Sequence, residues 1–150
     1  MADHPIIDVA TALATWLAAQ TFSATIAVAR RSVVRFDLPD LATCQVSVVP
    51  ADWEETVLGR RACKRSFLID VAVQQKVDAD DLTVTDALMG LVWEIEQAMK
   101  FLRLTTTPAA QWIGVAKVPG SEAGYAPQHL AELRTFTSIR RHTFVPEGTA

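Results

Sequence analysis

Little in this chain announces a reaction. Only two cysteines occur, Cys44 and Cys63, and they form no CxxC pair. That excludes a disulfide-stapled scaffold and a cysteine-based zinc site, and both read as small packed residues of a reducing compartment. No apolar run reaches the roughly 18 residues of a membrane-spanning helix. Residues 6–19 are apolar, but Asp3 and Asp8 stand where a signal peptide needs a basic flank. His4, His129 and His142 stand alone, none with a second ligand at helical or strand spacing, so surface or capping roles are expected rather than a metal site. The motifs GxSxG, GxxxxGK[ST] and GxGxxG are missing. Asp78, Asp80 and Asp81 resemble a fragment of a cation loop without its glycine and its closing glutamate, and suit a helix start better. Glu94 and Glu96, two apart on a helix, face different ways and make a poor acid–base pair. The residues therefore imply no catalytic group, no metal and no cofactor. Charge of one sign is lacking too. The formal net charge is −3 and half the residues are apolar, a globular composition. With a pI near 5.5 and no row of base-stacking aromatics, specific nucleic-acid binding is disfavoured.

What is present centres on a strand and the helix that follows it. From Ser66 to Val77 the residues alternate. Phe67, Ile69, Val71, Val73 and Val77 point one way; Ser66, Asp70, Ala72, Gln74 and Lys76 point the other. Period two with one apolar face predicts a half-buried strand of an antiparallel sheet. After an acidic break the period changes. Val84, Leu88, Leu91, Val92, Ile95, Met99 and Leu102 form one stripe of a helix of about five turns. Thr83 and Asp86 read as its capping box, and Glu96–Lys100 as an i,i+4 pair. Gly90, Trp93, Gln97 and Phe101 fall on the opposite side. Large apolar groups there imply either a covering element or a docking surface.

The remaining elements follow in order. Pro5 opens a first helix to about Gln20, with Asp3 or His4 as cap and Ile6, Ala10, Leu13 and Leu17 as its stripe. Thr21 to Leu38 is extended, interrupted at Arg30 and Ser32, and a turn follows over residues 37–40. Cys44, Val46 and Val48 make the next strand, ended by Pro50. Residues 51–65 read as a long charged loop, of the kind that is mobile or functional. Trp112 to Val118 and Arg134 to Val145 are two further strands, with Phe136 and Phe144 on one face of the last. A helical turn is expected over 127–133, and 146–150 is a loose end. The whole is one domain over 1–150, of α+β class: a mostly antiparallel sheet with two helices on one face, in the order α-β-β-β-α-β-β.

Arginine outnumbers lysine ten to four. It clusters at Arg30, Arg31 and Arg35, at Arg60, Arg61 and Arg65 with Lys64, and at Arg140 and Arg141. Arginine suits fixed contacts at interfaces through its planar fork and weak hydration. Trp53, Arg60, Arg61, Lys64, Arg65, Trp93 and Phe101 are accordingly the candidate subunit-interface residues.

Several segments carry a resemblance. They are Arg30-Arg31-Ser32-Val33-Val34-Arg35-Phe36-Asp37-Leu38, Val46-Ser47-Val48-Val49-Pro50, Ile69-Asp70-Val71-Ala72-Val73-Gln74-Gln75-Lys76 and the run from His129 to Ser138. Together they resemble small proteins of tailed-phage morphogenesis clusters, over about residues 16–145. The element order resembles that of tail terminator (tail completion) proteins. The resemblance implies α+β subunits that close into a six-membered ring on the finished tail tube and meet the head connector. It implies a homo-oligomer, with tail tube protein and head-closure or connector protein as partners. Location would be the neck of the virion, after assembly in the host cytoplasm, with DNA passing through the ring but no sequence-specific contact and no membrane. No catalytic residue is implied. Another neck or tail subunit, such as head closure or tail tube, is the alternative within this class. A monomeric enzyme or ligand-binding domain, its residues assembled only in three dimensions, is the alternative outside it.

Overall fold

Pro5 starts helix α1 (Pro5–Ala19) as expected, because its missing N–H is one that a helix start leaves unpaired. His4 is the cap, its Nδ1 accepting from the Ile6 backbone N–H at 3.2 Å. The computed structural model describes residues 4–34, 42–77, 82–105, 109–118 and 135–146. Within them lie strands β1 (Ile26–Arg30), β2 (Cys44–Gly59) and β3 (Ala62–Lys76), helix α2 (Leu82–Met99), and strands β4 (Arg103–Leu104), β5 (Ala110–Lys117) and β6 (Thr135–Pro146). The strands form one sheet in the order β1-β2-β3-β6-β5-β4. Only β1–β2 is parallel; every other pairing is antiparallel. The α+β class and the two-helix arrangement agree with the sequence reading, with the short β4 added.

Register places Val46, Val48, Val71, Val73, Ile69, Phe67, Phe144 and His142 on one face of the sheet. Both helices pack there. Ile6, Val9, Ala10, Leu13 and Leu17 of α1 and Leu88, Leu91, Ile95 and Met99 of α2 share one buried core with those strand residues. The stripes of both helices are therefore as the spacing predicts, with Val84 and Val92 only partly buried.

Four local expectations are corrected. The other face of β3 is not open to water: Asp70, Ala72 and Gln74 are buried too. Thr83 lies inside α2 and so cannot cap it. Glu96 turns from Lys100 to the sheet, where it accepts from Arg140 Nε at 2.5 Å. That ion pair ties α2 to β6 and is about four-fifths withdrawn from solvent on both sides. The helix also ends at Met99, so Leu102 and Phe101 lie beyond it. The expected 37–40 turn, the acidic run, the 127–133 turn and the tail after Pro146 fall outside the described residues.

The largest correction concerns residues 51–65. They are not a loop. β2 and β3 continue past the body of the sheet as an antiparallel hairpin that turns at Arg60–Arg61. β1 pairs with β2 only from Cys44 to Val48, and β6 reaches β3 only as far as Phe67. Beyond those points, among the described residues, the two strands pair only with each other. From Asp52 to Gly59 the ribbon is exposed along its whole length, roughly 25 Å at the rise of an extended chain. Register shifts bracket it, at Pro50/Asp52 and at Val57/Gly59. The first falls beside Pro50, which has no N–H to give the ladder.

Candidate interaction surface

The hairpin holds itself together by local pairs. Glu55 stands opposite Arg65, and their side chains lie 3.6 Å apart, half exposed. At that exposure the pair contributes at most a few tenths of a kcal/mol. Glu55 also accepts from the Cys63 thiol and pushes its pKa up. At the base, the Trp53 ring lies 4.3 Å from the ring of His4, which itself meets Phe67 edge-on. The capping residue of α1 thus props the root of the hairpin. Further out no described residue covers the ribbon: Val57 is 72% and Leu58 66% exposed. Arg60, Arg61 and Lys64 surround them, also exposed. The tip is an apolar point with a basic collar, on a two-stranded ribbon of the kind that is marginal in water by itself.

A second exposed region lies on α2. Trp93 is 62% exposed, and Met89 beside it is exposed as well. No described element covers this side of the helix. Trp93 stands as a ridge between two grooves. One runs between α2 and β6, along Met89, Val92, Phe136 and Ser138. The other, about 590 Å³ in volume, runs between the first half of α2 and the segment at Ser23–Ala24. Gly90 lies on this second groove, and a Cβ built there meets nothing within 4 Å. Glycine costs about 1 kcal/mol against alanine inside a helix, and no close approach among the described residues explains it. Glu94 closes one end, accepting from the Ser23 hydroxyl at 2.5 Å and from the Ser23 N–H at 3.4 Å.

Phe101 does not belong to the outer face of α2. It follows the helix with φ 60, the left-handed conformation that usually ends helices at glycine. A residue with a Cβ costs roughly 1–2 kcal/mol there. Its ring meets Trp112 edge-on at 5.8 Å while remaining 77% exposed.

The candidate residues therefore divide into three places. Trp53, Arg60, Arg61, Lys64 and Arg65 share the hairpin, Trp93 the helix, and Phe101 the turn before β4. The third arginine cluster is internal. Arg141 donates to both carboxylate oxygens of Asp70, at 2.8 and 3.2 Å, which raises its pKa. Arg140 serves Glu96, and Arg31 donates to Ser47 Oγ at 3.1 Å.

The sequence reading missed His142. It is 1% exposed rather than a surface residue, and its Nδ1 accepts from Trp112 Nε1 at 3.1 Å. Burial, with Arg140 nearby, pushes its pKa down to about 3. The alternation of β6, with Phe136 and Phe144 inward, carries the signal: His142 shares their parity. Neither thiol is activated. Burial pushes Cys44 up to about 11, and Cys63 is also raised. Among the described residues no group of three His, Cys, Asp or Glu side chains comes together to hold a metal ion. Among the described residues no helix is long and apolar enough to cross a membrane. The chain matches no family model, and no curated protein is similar to it.

Proposed function

We propose that the chain is a virion structural subunit, a tail terminator that forms a ring at the head-proximal end of a phage tail tube and joins tail to head. The observation that carries the reading is the pair of unlike exposed surfaces: a projecting hairpin with Val57, Leu58, Arg60 and Arg61 at its tip, and the Trp93 side of α2. A closed ring is built from a heterologous contact, so each subunit needs two different complementary patches. The role needs no catalysis; it acts through shape and symmetry. Support from the sequence is the resemblance in residues 16–145 and the two-helix α+β order. Negative-stain microscopy tests it. Six-fold rings of the purified protein, and the same protein on the ends of tails from intact particles, are the expected result. A protein that never labels tail ends overturns the reading.

One observation favours a second reading. The sheet has six strands, and β2 and β3 run to 16 and 15 residues. That strand content suits a tail tube subunit, which is richer in β structure. The same microscopy separates the two: a tube subunit stacks into open-ended filaments, a terminator stops at a ring.

A further inference from the structure

We propose that the groove at Gly90 on α2 receives the hairpin tip, Val57–Leu58, of a second copy of this chain. The inference rests on the self-assembly in the reading above and names the contact that would carry it.

The tip cannot fill its own groove. Gln75 lines the groove, and Cys63 pairs with Val57 at the tip. Both belong to β3, twelve residues apart, which places them about 40 Å from each other along an extended strand. One subunit therefore carries the knob at one end and the hole at the other, the condition for a head-to-tail contact.

The two ends are complementary in chemistry. The groove is walled by Val84, Ala87 and Trp93, and the missing side chain at Gly90 keeps it open. The tip offers Val57 and Leu58, two of the most exposed aliphatic side chains of the described residues. Charge matches as well. Asp86, Gly90 and Glu94 are spaced by fours, so the two carboxylates flank the gap one helical turn to either side. Asp86 is exposed, and Glu94 stands at the groove rim. Arg60, Arg61 and Lys64 flank Val57–Leu58 on the tip. Seating the aliphatic pair beside Trp93 brings a basic collar onto an acidic rim. Opposite charges of this kind fix register and suppress wrong pairings.

Sedimentation of the purified full chain tests this with two variants. Gly90→Leu fills the hole from a position where a Cβ meets nothing within 4 Å, and with a better helix former. Leu58→Asp spoils the knob at an exposed position. Leu58→Asp is expected to keep the wild-type thermal midpoint and Gly90→Leu to match or exceed it, and each alone is expected to lose self-association by at least ten-fold. An equimolar mixture retains one intact knob and one intact hole, so it is expected to give a dimer that grows no further. Should Gly90→Leu fail to fold, Asp86→Lys at its exposed site serves as the groove variant. The inference is overturned by a wild-type chain that stays monomeric at high micromolar concentration, by variants that assemble as the wild type does, or by a mixture that stays monomeric. Tail ends that lack the protein, with the dimer of variants still formed, sink the terminator reading and leave this contact standing. Labelled tail ends with unaffected variants do the reverse.

Discussion

His142 shows how a single side chain couples this fold to pH. Its Nδ1 is the acceptor for the Trp112 N–H, so that nitrogen must be unprotonated in the folded chain. Protonation would break that bond and place a buried cation near Arg140. The pKa is depressed to about 3 from an ordinary 6.5. The unfolded chain thus takes up a proton that the folded chain refuses, and stability is lost as pH falls from the unfolded value toward the folded one. Between pH 6.5 and about pH 5, before most carboxylates titrate, the loss should be roughly 2 kcal/mol. Urea unfolding at a series of pH values measures it. His142→Leu should flatten the slope in that window, while lowering stability overall by leaving the Trp112 N–H without its acceptor. Equal slopes in the two proteins would assign the dependence to other groups.

At the scale of elements, periodicity worked where one face is buried and failed where neither is. Helix α2 is the clear success. Leu91 is fully buried in the core shared by both helices and the sheet. Leu91→Ala should cost about 2–5 kcal/mol, the sum of lost transfer energy and the cavity left behind. Chemical denaturation of the isolated chain reads this directly, and a cost near zero would place the stripe on the wrong side. The hairpin is the failure. Along Asp52–Gly59 every residue of the strand is exposed whichever face it is on, so no hydrophobic alternation marks it. Its order comes instead from the backbone ladder, the Glu55–Arg65 pair and the stack of Trp53 on His4, which join residues far apart in sequence. The polar side of β3 misled for the opposite reason. Asp70 is buried because Arg141, on the neighbouring strand, meets it with both donors.

Across the whole molecule, charge divides between groups that hold the subunit together and groups that face outward. Arg140 and Arg141 are the first kind, tied to Glu96 and Asp70. Arg60 and Arg61 are the second, at the turn of the hairpin and far from the core. Reversing both to Glu should change the stability of the monomer by no more than ~0.5 kcal/mol, the usual range for exposed positions. The same change should weaken assembly, since the collar would then repel Asp86 and Glu94 of a neighbour. Thermal unfolding at low concentration and sedimentation at high concentration separate the two effects. Loss of the fold with assembly of the surviving molecules intact would make these arginines internal supports and remove the hairpin from the interface.

The amino-acid order by itself determined the class of fold, both helices with their buried stripes, and the alternating core face of β3. Each of these rests on a pattern repeated every two or every three to four residues against one apolar side, which neighbouring residues are enough to write. It also marked Trp53, Arg60, Arg61 and Trp93 as unusual surface residues. Only the tertiary structure decided that 51–65 is a paired ribbon, that His142 is buried against Trp112, and that Arg31, Arg65, Arg140 and Arg141 make bonds within the subunit. It alone turned Gly90 from a helix flaw into the floor of a groove. Those outcomes depend on which distant strand or helix lies alongside, and burial, pairing and open space are properties of that neighbour as much as of the residue.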